Sequence, residues 1–168
     1  NIIMNTGTIK LTKLTNNINA EINGATGSLE VKEGVNNGNI TQDVITVSGV
    51  SSSGGYINNG SIISNTINNN GVLINNENAI IKINDTCVNN GSLTNNGTFT
   101  TKILTNTNGA TIAGSDGSLT FEEGKNQGSI SQAIINQVGN STFTNEGQIT
   151  AGKFNNNGIF LNSGDTSK

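Results

Sequence analysis

The sequence contains no histidine, arginine, proline or tryptophan, and it has a single cysteine, Cys87. Without histidine and with one thiol, a His/Cys metal site lacks ligands, and Cys87 cannot form an internal disulfide. Eight lysines and a net charge of −3 give no basic patch, so nucleic-acid binding is disfavoured. No apolar run approaches the length of a transmembrane helix, and we predict that the chain is not embedded in a membrane.

Hydrophobic residues make up 32% of the 168 residues, and charged residues make up only 11%. Weak hydrophobicity makes intrinsic disorder one alternative, but little charge repulsion is present to keep such a chain expanded. The polar bulk is instead asparagine, glycine, serine and threonine, with 33 asparagines and 22 glycines. Asparagine tolerates turn geometry, and stacked turns can align its side chains as amide ladders, so we expect most asparagines to be structural.

The apolar residues come in short bursts that alternate with polar residues, as in 8–11, 28–31, 44–47 and 72–74. This period of two is typical of half-buried strands, and no amphipathic helical pattern is present, so the fold class is all-β. Asn-Gly turns separate the bursts, and an antiparallel hairpin meander is one way to use them. The turn glycines recur about every 20 residues, however, which favours a parallel β-solenoid. We predict a right-handed parallel β-helix of about eight rungs of roughly 20–22 residues.

An internal repeat supports the solenoid. Residues 14–45 reappear without a gap as 104–135, and a second stretch realigns at an offset three residues shorter. We predict a single solenoid segment, residues 1–168, built from two homologous units of about four rungs each, about 1–90 and 91–168, and excised from a longer chain. The units differ in length at one loop, which is therefore the candidate exposed functional element: Val50, Ser51, Ser52, Ser53, Gly54 and Gly55.

Stacked rungs should place similar side chains above one another, and the aromatic residues suggest such a column. Three phenylalanines are spaced by 22 residues, and their counterparts in the first unit are bulky or apolar. The predicted internal column comprises Phe99, Phe121, Phe143, Ile9, Val31 and Tyr56.

The sequence offers few candidate catalytic residues. A polysaccharide lyase or hydrolase on a β-helix needs converging carboxylates, or a base with a cation or Arg to hold the sugar acid. Glu33 and Glu123 are the repeated acidic positions, and their recurrence indicates solvated turns. Thr-x-Thr at 98–100 and 142–144 hints at an ice-binding face, but 8–10 breaks the pattern. We predict no enzyme activity, no catalytic residues, no cofactor and no metal site.

The repeated Asn-Asn-Gly-x-Ile turns, together with Gly-Ser-Leu and Gly-Thr-Phe strand starts, resemble the passenger regions of bacterial autotransporters and the filamentous-haemagglutinin-like exoproteins. The resemblance implies a secreted, extracellular cell-surface protein that acts as a structural stalk or adhesive filament segment. A self-assembling extracellular filament subunit and a polysaccharide-acting enzyme are the alternatives. The expected partners are host or cell-surface glycans or proteins, or neighbouring copies of the chain itself.

Overall fold

The computed structural model describes residues 1–50 and 54–163. This part of the chain contains strands and no helix. The strands are β1 (Ile2–Met4), β2 (Thr8–Asn16), β3 (Glu21–Asn36), β4 (Asn39–Val47), β5 (Tyr56–Asn58), β6 (Ser61–Asn69), β7 (Val72–Asn75), β8 (Ile80–Asn89), β9 (Ser92–Asn95), β10 (Thr98–Thr100), β11 (Ile103–Asn106), β12 (Thr111–Phe121), β13 (Glu123–Asn126), β14 (Ser129–Gln137), β15 (Thr142–Asn145), β16 (Gln148–Asn156) and β17 (Ile159–Asn162).

All the described strand pairings are parallel, and the registers sort the strand segments into three stacks, here called faces A, B and C. Face A stacks 2–4, 21–24, 39–42, 61–64, 80–83, 98–100, 118–121, 134–137 and 153–156. Face B stacks 8–11, 28–31, 44–47, 66–69, 86–89, 103–106, 123–126, 142–145 and 159–162. Face C stacks 13–16, 33–36, 56–58, 72–75, 92–95, 111–114, 129–132 and 148–151.

The chain visits the faces in the order A, B, C and then returns to A, so each turn of the coil has three sides. Eight of the described strands pass around a corner from one face to the next: β2, β3, β4, β6, β8, β12, β14 and β16, of which β3 passes around two corners. The prediction of an all-β parallel solenoid of about eight rungs is thus confirmed, while its right-handedness stays a prediction. At about 4.8 Å between paired strands, the rod is about 40 Å long.

The coils of the solenoid vary more in length than the predicted 20–22 residues. Ser28 pairs with Val44, 16 residues later, whereas Val44 pairs with Thr66, 22 residues later. Corner loops absorb these differences because the paired segments hold the register on each face. Residues can therefore be equally spaced in sequence without lying above one another in the rod.

The interior is filled by apolar side chains from the strand segments, with two such side chains from 28–31, 44–47, 80–83 and 118–121. Face A supplies Ile22, Ile40, Ile62, Ile81, Phe99, Leu119 and Ile135. Face B supplies Leu29, Ile45, Ile67, Cys87, Leu104 and Phe143, and face C supplies Leu14, Tyr56, Leu73, Leu93, Ile112 and Ile130. Each is at most 8% exposed, and together they form one continuous cluster. Cohesion is therefore distributed between neighbouring coils along the whole rod.

The predicted aromatic column is wrong as a vertical stack, although its members face the interior. Phe99 pairs with Leu119, and Phe121 pairs with Gln137. Phe143 lies on another face, where its partners are Gly124 and Phe160. The constant spacing of 22 residues misled the prediction because coil length varies.

The counterparts in the first unit also have other partners. Ile9 pairs with Leu29 and is partly buried, while Val31 pairs with Val47. Tyr56 pairs with Leu73 and is fully buried. The rings of Phe121 and Phe143 do touch, with centroids 4.3 Å apart, but this contact joins two faces across the core.

The two sequence units are rotated relative to each other. Leu14 lies on face C, where it pairs with Gly34, but its counterpart Leu104 lies on face B. Fourteen strand segments separate them, and three segments make one turn, so the offset is 4⅔ turns instead of the four predicted from sequence. Equivalent residues of the two units therefore point to different sides of the rod.

Candidate functional site: amide ladders and the inserted loop

Two ladders of side-chain amides run along the inner corners of the rod. The first, at the end of face C, joins Asn16, Asn36, Asn58, Asn75 and Asn95. The second, at the end of face B, joins Asn69, Asn89, Asn106, Asn126, Asn145 and Asn162. The Nδ2–Oδ1 distances are 2.7–2.9 Å, and every member except Asn162 is buried. The predicted ladders are confirmed.

Each ladder amide except that of Asn162 also bonds the backbone. Asn36 Nδ2 donates to the carbonyls of Gly38, at 3.1 Å, and of Ser61, at 3.2 Å. Its Oδ1 accepts from the Gly38 amide in addition to Asn16 Nδ2. A buried amide costs free energy unless its donors and acceptors are paired, and here one side chain ties two turns together.

The ladders have one polarity and change corner between units. In both ladders the donor is the earlier residue and the acceptor lies one coil later. Asn16 and Asn36 in the first unit correspond to Asn106 and Asn126 in the second. The ladder therefore moves from the corner of face C to the corner of face B because the two units are offset by 4⅔ turns.

Sequence reasoning missed a second amide device, in which a glutamine reaches across a glycine. Asn95 Nδ2 donates to Gln132 Oε1 at 2.9 Å, two coils away. Gly114 occupies the intervening position, where a Cβ would lie 1.8 Å from the Asn95 carbonyl oxygen. Asn5 and Gln42 form the same bond in the first unit, across Gly24. The recurrence of glycine and glutamine at an offset of 90 was the available signal.

In one matched pair of aromatic residues, Tyr56 places a hydroxyl in the core. Tyr56 and Phe143 are counterparts, and both are fully buried. The Tyr56 hydroxyl has no hydrogen-bond partner among the described residues. Burial raises the pKa of Tyr56 well above its usual value of 10.

We expect Tyr56→Phe to raise the free energy of unfolding by about 1 kcal/mol, because it removes a buried donor that has no partner. The variant should also be less sensitive to alkali. Since the folded-state pKa is raised, wild-type stability is present below pH 10 and falls above it, when the unfolded tyrosine ionises first. Urea titrations at pH 7 and pH 11 measure both effects.

The reverse change, Phe143→Tyr, is the matched control. It adds a hydroxyl to a ring already in contact with Phe121 and should lower stability by about 1–3 kcal/mol. A loss of stability in Tyr56→Phe at pH 7 would show that the hydroxyl has a partner after all.

The described residues of the inserted loop, Val50, Gly54 and Gly55, lie between the face B segment 44–47 and the face C segment 56–58. Val50 is 64% exposed, and Gly54 and Gly55 precede the buried Tyr56. The other predicted loop residues, Ser51, Ser52 and Ser53, lie outside the described residues. A hollow of about 170 Å³ lies beside the loop and is lined by Lys13, Glu33, Gly34, Val35, Gly54, Gly55 and Ile57.

Face C continues from this hollow as a neutral surface. Between Val35 and Thr150, its outward-facing strand residues are Val, Ile, Ser, Thr, Ala and Gln, and no described strand position there carries a charge. A surface of this kind suits a neutral partner better than a strongly charged one.

The acidic positions singled out in the sequence do not converge. Glu33 lies on face C and Glu123 on face B, so their carboxylates cannot flank a single bond of a bound ligand. Among the described residues, no group of three or more His, Cys, Asp or Glu could hold a metal ion. The Lys125 ammonium beside Glu146 lowers the pKa of that exposed carboxyl, and burial raises the pKa of the Cys87 thiol to about 12.

Within the described part of the chain, no helix is long and apolar enough to cross a membrane. No family model, no curated protein and no solved structure matches this chain.

Proposed function

We propose that this chain is a structural stalk or adhesive filament segment of a secreted bacterial cell-surface protein. The observation that carries the proposal is the continuous interior: apolar rows and amide ladders fill the rod from coil to coil, which stiffens it along one axis. A rod of this kind provides reach and lateral surface. Its repeated residues belong to the scaffold, and its repeated carboxylates point to different sides.

We place the adhesive contact of this segment at the inserted loop and the neutral part of face C beside it. The loop is where the first unit differs most from the second, and it borders the hollow at Gly54 and Gly55. The outer strand positions beyond the hollow are uncharged, which fits a neutral glycan or a polar protein surface. We assign no enzymatic role to the segment.

Replacing residues 50–55 with Asn-Ser-Thr, the corresponding residues 140–142 of the second unit, tests this placement. We expect the variant to keep its thermal unfolding midpoint, because the rod already uses the shorter turn at that position of the second unit. We expect it to lose binding to a glycan array and to wells coated with collagen or fibronectin.

The control is Thr98→Lys, a charged change on exposed face A. It should leave binding unchanged, whereas Thr94→Lys on face C should weaken it. Binding that survives the loop replacement and the face C change, or wild-type chain that binds none of these probes, would favour a spacer with no adhesive role.

A further inference from the structure

The chain contains eight Asn-Gly pairs, and all of them lie in the part of the chain that the structure describes: 23–24, 37–38, 59–60, 70–71, 90–91, 96–97, 108–109 and 157–158. An asparagine loses its side-chain ammonia most readily before glycine, because glycine has no Cβ to shield its backbone nitrogen from the asparagine Cγ. Whether a given pair reacts depends on whether the backbone can bring these two atoms together.

In seven of the pairs the glycine is packed against a neighbouring coil. A Cβ placed on any of these seven glycines would lie 1.5–2.6 Å from a backbone oxygen of that coil. Four of them also donate their N–H to the side chain of an asparagine two residues earlier: Gly38, Gly60, Gly71 and Gly158. The peptide plane of a packed glycine has no room to rotate, so its nitrogen cannot reach the preceding side chain.

Gly109 differs from the other seven glycines. It is exposed, no atom lies within 4 Å of its Cβ position, and its φ is +80°. Its N–H donates to no described residue, and the exposed side chain of Asn108 bonds to none. The pair occupies the two central positions of a turn in which the Ala110 N–H donates to the Thr107 carbonyl at 3.0 Å. This peptide bond can therefore rotate without disturbing another coil.

We infer that Asn108 is a site of spontaneous deamidation and that the packing of the coils protects the other seven Asn-Gly pairs. The Gly109 nitrogen loses its proton to solvent base and bonds to Asn108 Cγ, the Cγ–Nδ2 bond breaks, and ammonia leaves. Water then opens the succinimide ring at either carbonyl, which gives aspartate or isoaspartate at this position. No oxidant or reductant takes part. The inference is independent of the stalk function.

The reaction changes the surface beside face C. Asn108 and Gly109 border a hollow of about 270 Å³ that also contacts Thr111, Ser129 and Gln148 of face C. None of the residues that line this hollow is charged. Deamidation places a carboxylate at its edge and adds one negative charge to the net charge of −3.

Two other turns of the rod have the same hydrogen bond and serve as internal comparisons. Asn19 and Asn78 occupy the position of Gly109 in these turns, with φ of 62° and 64°. Each is exposed and is followed by alanine, whose Cβ shields the nitrogen that would attack. We therefore expect neither asparagine to react at the rate of Asn108, although the turns are alike.

Peptide mass spectrometry of the full 168-residue chain, incubated at 37 °C at pH 9 and at pH 6, measures deamidation at every pair. In the folded chain we expect Asn108 to react at least about tenfold faster than any other asparagine before glycine. The reaction should be faster at pH 9, because the attacking nitrogen must lose its proton. In concentrated urea, where the coils no longer pack, the eight pairs should react at similar rates.

Two variants exchange the turn sequences. Asn108→Ile/Gly109→Asn copies residues 18–19 and should abolish the fast reaction without changing the thermal unfolding midpoint. Glu77→Asn/Asn78→Gly introduces the reactive pair into a turn of the same kind and should create a second fast site. The inference is wrong if Asn108 reacts no faster than Asn59 or Asn90 in the folded chain, or if urea does not accelerate the packed pairs. A Glu77→Asn/Asn78→Gly variant that unfolds like the wild type but does not react there also overturns it.

Discussion

Asn89→Ala should lower the free energy of unfolding by about 3 kcal/mol or more, whereas Asn90→Ala, one residue later, should change it by less than about 0.5 kcal/mol. Asn89 is buried and accepts from Asn69 at 2.7 Å. Its Nδ2 donates to Asn106 Oδ1 at 2.8 Å and to the Thr111 carbonyl at 2.9 Å. Alanine removes all these bonds at once.

The loss of stability in Asn89→Ala arises mainly from the hydrogen-bonding partners that remain. After truncation, Asn69 Nδ2 and Asn106 Oδ1 each lose one partner inside the rod, and each unsatisfied buried group costs about 1–3 kcal/mol. The vacated volume adds a cavity term. Asn69 Nδ2 keeps its bond to the Ser92 carbonyl, at 2.9 Å, which is why we do not expect the full sum of these terms.

Asn90 provides a control of identical chemistry. Its Nδ2 also donates to an asparagine one coil away, Asn70, at 2.8 Å, but both side chains are exposed and water can replace the bond. Urea-induced unfolding of both variants, followed by circular dichroism, measures the difference. Equal effects would mean that the outer and inner ladders stabilise the rod alike, contrary to the burial argument.

Much of this fold could be predicted from local patterns. The alternation of apolar and polar residues at 28–31 and 44–47 predicts which side chains point inward, and Leu29 and Ile45 do so. Asparagine before a turn glycine, as at Asn36 and Asn58, is typical of stacked turns, and the ladders follow from that repetition. These features depend on near neighbours in the sequence.

The register could not be predicted in the same way. Whether Phe121 lies above Phe99 depends on the length of every corner between them, and one residue gained or lost at a corner changes the sequence spacing between residues that pair. The rotation of the units has the same origin, because fourteen segments do not divide by three. Similar residues at an offset of 90, such as Glu33 and Glu123, thus lie on different faces.

Local sequence patterns also do not identify the glycines that contribute most to stability. Gly34 and Gly124 are counterparts, and each lies one coil below a buried ring, Tyr56 or Phe143. A sequence shows a turn glycine and an inward-facing glycine in the same way. The structure separates them by backbone conformation: Gly34 and Gly124 combine a positive φ with a close approach to the coil below, whereas turn glycines such as Gly38 and Gly71 make the close approach without a positive φ.

Three glycine-to-alanine variants should therefore fall in a fixed order of stability. Gly124→Ala should be the most damaging, at about 3 kcal/mol or more, because its Cβ would lie 1.9 Å from the backbone oxygen of Leu104 and its φ of +140° disfavours any side chain. Gly139→Ala meets no atom within 4 Å but has φ of +83°, so it should cost about 1 kcal/mol. Gly7→Ala has open space and no such φ, and its effect should be within about 0.5 kcal/mol.

Comparing the stabilities of the three variants separates the effect of the backbone contact from the effect of replacing a glycine. Since Leu104 cannot withdraw without disturbing its pairing with Cys87, coil separation at this point should accompany the loss of stability in Gly124→Ala. Thermal unfolding ranks the three variants, and amide hydrogen exchange at 103–106 and 123–126 locates the effect. If Gly124→Ala proved no worse than Gly139→Ala, the coils would be shown to separate easily, and the stiffness assigned to the stalk would lose its physical basis.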